Sequence, residues 1–78
     1  IFMIEKKLLV IFKKFFSKEK KFKSFINMNM NNTKGWDSIA HVNFLLKLEK
    51  EFKLKIKTND FFKLDSIKKI IRYLKEKI

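Results

Sequence analysis

The chain is predicted to be all-α: a small bundle of three main helices and one short helix, with a long loop between the first and second. Three observations predict this. Proline is absent. Apolar residues recur at three- and four-residue spacing in separate stretches. Strand-like alternation is confined to Leu54 and Ile56 among Lys53, Lys55 and Lys57, with no second strand to pair with, so an extended connector is expected there. Seventy-eight residues, 46% of them hydrophobic, suit one domain over 1–78 with a compact core. A chain this short buries only about 60% of its unfolded surface, which makes a deep catalytic cleft hard to enclose as well.

Residues 3–16 read as the first helix. Ile4, Leu8, Ile11, Phe12 and Phe15 follow the spacing of one buried face, with Lys6, Lys7, Lys13 and Lys14 opposite. Residues 17–36 lose that period, and Asn27, Asn29, Asn31 and Asn32 cluster before Gly35, which marks a loop. Phe22, Phe25 and Ile26 are expected to pin the loop to the core, because leaving them wet is costly. The second helix runs from about Ser38 to Phe52. Phe44, Leu48 and Phe52 form its core ladder. Ile39, Val42 and Leu46 form a second stripe, which implies deep burial or a face kept for a partner. Thr58 is expected to cap a short helix reaching Lys63, with Asp60 in its first turn. Asp65 or Ser66 caps the last helix, whose apolar face is Ile67, Ile70, Ile71 and Leu74.

The net charge is +12, with +7 over residues 1–35 and +5 over 36–78. Such an excess points to nucleic acid or an anionic membrane. The competing reading is compositional drift, since the chain is rich in Lys, Phe, Ile and Asn and has Arg72 as its sole arginine. Phosphate and guanine recognition usually favours arginine. Cysteine is absent, so neither a disulfide framework nor a thiolate zinc site is expected, and the cytoplasm is the default compartment. The apolar run Leu8 to Phe12 is too short to span a bilayer. Ile1 suggests that the natural start lies further upstream.

No enzyme constellation emerges. Ser38 and His41 are neighbours on one helix, but no third orienting group or oxyanion hole accompanies them. His41 is expected to be a solvated helix residue. Glu49 and Glu51 point apart. No glycine-rich phosphate loop or metal set is visible, so no catalytic residue and no metal is expected.

Gly35-Trp36-Asp37-Ser38-Ile39 holds the only glycine and the only tryptophan. A serine at a helix mouth is well placed to hold a phosphate, because the first N–H groups are unpaired and the dipole favours negative charge. The bland reading of Asp-Ser at that place is a cap. The chain supplies its own control, since Asp65-Ser66-Ile67 repeats the tripeptide at another predicted helix start. The tripeptide alone therefore identifies no site. Its surroundings differ: the first copy follows a long loop and opens the doubly apolar helix.

Asp37-Ser38-Ile39, then Val42, Leu45, Leu48-Glu49-Lys50-Glu51-Phe52 and Leu54-Lys55-Ile56, resemble the acyl carrier protein family. Its pattern is Asp-Ser-Leu, a helix ending in Leu-Glu-x-Glu-Phe, and an apolar-x-Ile pair. The likeness continues through Ile67, Ile70, Ile71, Tyr73 and Leu74, so it covers roughly residues 35–78. Trp36-Asp37-Ser38 with His41 looks most like stand-alone carriers that serve dedicated ligases and transferases, and the similarity extends to D-alanyl carrier proteins. The resemblance implies the acyl-carrier bundle and a non-enzymatic role, with fatty-acid and lipid biosynthesis as the broad setting.

The same resemblance implies that Ser38 bears 4′-phosphopantetheine, transferred from coenzyme A by a phosphopantetheinyl transferase. Asp37 would cap the helix and engage that transferase. Ile39, Val42 and Leu46 would be the partner-facing stripe. The further partners implied are an acyl- or aminoacyl-loading ligase and an acyltransferase or other biosynthetic enzyme, with the carrier a monomer. Three departures from the family pattern stand out. Ile39 replaces a leucine, Phe61 takes a place where family members often have a small residue, and the charge is positive where the family is acidic. The Phe61 departure predicts a short or polar cargo. The charge predicts neutral or acidic docking surfaces on partners.

Two rival functions carry their own features. Lys18, Lys20, Lys21 and Lys23 around Phe22 would suit a nucleic-acid-binding domain. The basic amphipathic pattern of residues 1–16 would suit an anionic membrane surface.

Overall fold

Spacing of three and four residues puts Leu8, Ile11 and Phe12 on one side of a helix, and that side must be covered. In the computed structural model, which describes residues 2–17 and 25–77, α1 (Phe2–Phe15) meets this need by packing against both α2 (Ser38–Phe52) and α3 (Ile67–Lys77). Two 3-10 segments join them: η1 (Phe25–Asn27), which packs on α3, and η2 (Thr58–Lys63). The fold is all-α, and no strand forms among the described residues. Leu54 and Ile56 lie in a connector that is neither helix nor strand, in keeping with the lack of a second strand to pair with.

The core faces of α2 and α3 follow the expected stripes. Phe44 and Leu48 are buried and Phe52 is half-buried, while Ile67, Ile70, Ile71 and Leu74 are all buried. Four aromatic rings nest where α1 ends and α2 begins. Phe12, Phe16, Trp36 and Phe44 all lie within 6.2 Å of one another, centroid to centroid. Tilted and edge-on pairs of this kind add about 0.5–1.5 kcal/mol each beyond the area they bury.

Three expectations are corrected. Phe16 is the aromatic that α1 buries at its end, whereas Phe15 sits at the margin of the core with 36% exposure. The Phe16 amide still donates to the Phe12 carbonyl at 2.9 Å, so the ring stays in helical register under Trp36. Ile26 is exposed, and Phe25 and Met28 do the anchoring instead. Thr58 is the first residue of η2 rather than its cap; Lys57 occupies the cap position and makes no side-chain bond there. Phe22 and the lysines around it, Lys18, Lys20, Lys21 and Lys23, lie outside the described residues.

The asparagine-rich loop is held by its own side chains. Asn29 Oδ1 accepts from the amides of Asn31 and Asn32, and Asn32 Oδ1 accepts from the Asn29 amide. The loop is also tied to the start of α3. The Met30 amide donates to the Asp65 carbonyl, and the Ile67 amide donates to the Met28 carbonyl, both at 3.0 Å, around an isolated bridge between Asn29 and Ser66.

At the end of α2, Lys53 takes a left-handed conformation and its amide bonds the Glu49 carbonyl. The Glu49 side chain then accepts the Ile56 amide at 2.7 Å, fixing the connector to the helix it leaves.

Candidate functional site

The corner ahead of α2 is built by Gly35 and Trp36. Gly35 has φ +82°, a left-handed value that side-chain-bearing residues rarely adopt. No atom lies within 4 Å of where its Cβ would stand, so the backbone angle, not crowding, calls for glycine. The turn sends Trp36 into the aromatic nest, 3% exposed, and leaves Asp37 at the helix mouth.

Asp37 is the cap. Its backbone is extended, its carbonyl accepts the His41 amide at 2.8 Å, and its Oδ1 accepts the Ala40 amide at 2.8 Å. Ser38 is therefore the first helical residue, and its exposed hydroxyl has no capping duty. The amides of Ser38 and Ile39 face the same end of the helix, where a phosphate would find unpaired donors and a favourable dipole. The first turn of α2 carries no acidic residue to oppose one. An exposed hydroxyl, two helix-mouth amides and a carboxylate already occupied elsewhere fit a phosphodiester-linked group at Ser38.

Beside Ser38 runs the second apolar stripe of α2. Ile39 is 76% exposed, Val42 is half-buried and Leu46 is 44% exposed. Among the two alternatives that the spacing leaves, deep burial is therefore excluded, and the stripe is an open face. Phe62 of η2, also exposed, stacks its ring 5.5 Å from that of His41.

His41 overturns the expectation of a solvated side chain: it is fully buried. Trp36 Nε1–H donates to His41 Nδ1 at 2.9 Å. That bond makes Nδ1 the acceptor, so Nε2 carries the proton and donates to the Phe61 carbonyl at 2.6 Å. A neutral imidazole with both nitrogens bonded can be buried at little cost. It joins the turn before Ser38, the first turns of α2, and η2. The sequence does carry the signal for this burial, because His41 stands three before Phe44, four before Leu45 and seven before Leu48, on the core side of the helix. Phe61 itself is half-buried and packs against the core.

The repeated tripeptide is arranged differently. At 65–67, Ser66 is the cap: its Oγ accepts the Lys69 amide at 3.3 Å and its carbonyl accepts the Ile70 amide. Asp65 pairs with Lys69 at 3.1 Å, and Ile67 is fully buried. No group of metal-ligating side chains occurs among the described residues, nor does any helix there have the length and apolarity to cross a membrane.

Residues 35–74, just over half of the chain, match the family described as the phosphopantetheine attachment site. No curated protein matches the chain.

Proposed function

We propose that this chain, which belongs to the family defined by the phosphopantetheine attachment site, is an acyl or aminoacyl carrier whose 4′-phosphopantetheine arm is joined to Ser38. The arm is the prosthetic group of that family, and its carrier domains work with partner transferases and biosynthetic enzymes. One observation carries the assignment to Ser38: within the matched residues, Asp37 performs the cap and leaves the Ser38 hydroxyl exposed at the helix mouth.

In loading, the Ser38 oxygen forms a new phosphodiester bond as the diphosphate linkage of coenzyme A breaks and the nucleotide half leaves, its proton passing to the transferase. When bound, the arm supplies a thiol that holds cargo as a thioester. The chain's residues do the rest. Asp37 keeps the helix mouth in shape, and the amides of Ser38 and Ile39 would hold the phosphate. Ile39, Val42 and Leu46 present carbon to a partner beside the tether point. Tethering raises the local concentration of cargo at each partner's site, so the chemistry stays with the partners and the carrier is not itself an enzyme. A cytoplasmic carrier served by a dedicated loading ligase fits this reading.

The lack of acid in the first turn of α2 supports partners that are neutral or acidic where they dock. Generic fatty-acid enzymes with basic docking patches are expected to bind weakly. Phe61 of η2, packed against the core, supports a short or polar cargo. A long acyl chain found buried between α2 and η2 would contradict that.

Incubation with coenzyme A and a broad-specificity phosphopantetheinyl transferase, followed by intact mass measurement, tests the site. A gain of one phosphopantetheine is expected, lost in Ser38→Ala and kept in Ser66→Ala. No gain in the parent chain would return Ser38 to an ordinary helix-opening residue.

A further inference from the structure

The apolar side of α1 is spent inside the fold, since Leu8, Ile11 and Phe12 are buried. Insertion of that side into a bilayer is therefore excluded while the chain is folded. What α1 offers outward is different. Lys6, Lys7, Lys13 and Lys14 are all exposed on it around Val10, which is 55% exposed. Glu5, the helix's one acid, lies half-buried on the flank and pairs with Lys75 at 3.8 Å. Beside Val10 a shallow groove of about 480 Å³ is lined by Ile4, Lys6, Lys7, Val10 and Phe52. Lys7 spans it, its Nζ 5.0 Å above the Phe52 ring and bonded to the Glu51 carbonyl.

From this face we infer that the folded carrier docks through the outer side of α1 on an anionic lipid bilayer. Charge complementarity selects the occupant. Among the described residues, α1 itself carries four lysines and no outward acid on this face, the nearby Glu51 being paired with Lys47. Lysine ammoniums on flexible stems suit mobile headgroups that impose no fixed geometry. A nucleic acid would reward arginine forks, and the one arginine, Arg72, stands on α3. The carbon of Val10 and Phe52 at the centre of the lysines has no role against phosphates in water. Against a bilayer it meets the boundary between headgroups and acyl chains. Such docking goes beyond the carrier reading and does not depend on the arm; it would deliver cargo at the membrane surface.

Co-sedimentation of the full chain with vesicles tests it. Vesicles containing phosphatidylglycerol should bring the protein down at physiological salt, and vesicles of phosphatidylcholine alone should not. Lys6→Glu with Lys14→Glu should lower the partition by at least about tenfold, given roughly a fivefold effect for each lysine near an anionic surface. The neutral pair Lys6→Gln with Lys14→Gln should give a smaller loss in the same direction. Lys55→Glu with Lys57→Glu, on the exposed connector, should cost markedly less. Ser38→Ala should bind like the parent, which separates this inference from the arm's site. Absence of binding to phosphatidylglycerol vesicles overturns the inference, as does equal loss from the two lysine pairs. Tighter binding to single-stranded or duplex DNA than to vesicles overturns it as well.

Discussion

Asp37-Ser38-Ile39 and Asp65-Ser66-Ile67 are the same three residues at the starts of two helices, yet the cap falls on the aspartate in one and on the serine in the other. The shift of one position reverses what each side chain is left to do. In the first copy the serine hydroxyl is exposed and the isoleucine stands in solvent. In the second the hydroxyl is taken by the Lys69 amide and the isoleucine is fully buried. The cause lies outside the tripeptide. The bridge between Asn29 and Ser66, with the Ile67 amide bound to the Met28 carbonyl, ties Ser66 to the loop, and the helix begins one residue later in this copy. At the first copy the left-handed Gly35 delivers Asp37 to the cap position, so Ser38 enters the helix.

The largest expected difference between the copies is in loading. Ser38→Ala should abolish the mass gain, and Ser66→Ala should leave it intact. Loss of the gain in both would break the comparison. Next comes the isoleucine pair. Ile67→Ala should destabilise by about 2–5 kcal/mol in a denaturant titration, as for other fully buried branched residues. Ile39→Ala should change stability by less than about 0.5 kcal/mol, in keeping with an open surface. The caps follow. Asp37→Ala and Ser66→Ala should each cost about 1 kcal/mol, whereas Ser38→Ala should cost far less, because no amide depends on its hydroxyl. The smallest effect is expected at Asp65, whose partner Lys69 is an exposed helix neighbour. Asp65→Asn should cost roughly 0.3–0.5 kcal/mol by the same titration, and less in high salt.

Elements whose residues repeat regularly were legible in the sequence. The limits of α2, the buried face of α3 and the existence of a second apolar stripe at Ile39, Val42 and Leu46 follow from spacing and capping residues, whereas the openness of that stripe is shown by its exposure. Expectations failed where a helix ends or where residue type outweighs position. Phe15 and Phe16 both continue the spacing of Leu8, Ile11 and Phe12, and only the packing of Trp36 selects Phe16. His41 lies on the core side of α2, but its polarity argues for solvent until two bonding partners appear. Both come from elsewhere in the chain, one from the turn at Trp36 and one from the carbonyl of Phe61, twenty residues on. The cap of α3 stays open between Asp65 and Ser66 for the same reason, since it is set by contacts distant in sequence, and the cap at Asp37 is expected from the family resemblance rather than from the tripeptide. The exposed hydroxyl of Ser38 is the site feature that depends on that cap.

Trp36 is the chain's single indole, sealed among Phe12, Phe16 and Phe44 with its N–H bonded to His41. It also lies two residues before the candidate tether point. The protein thus contains an intrinsic optical probe at its working corner. Emission at the blue wavelengths of a dry indole should report the intact corner, and a red shift on loading or on contact with a partner enzyme would register its opening. The same group should give one isolated, slowly exchanging indole proton resonance, so the corner can be followed in unlabelled protein.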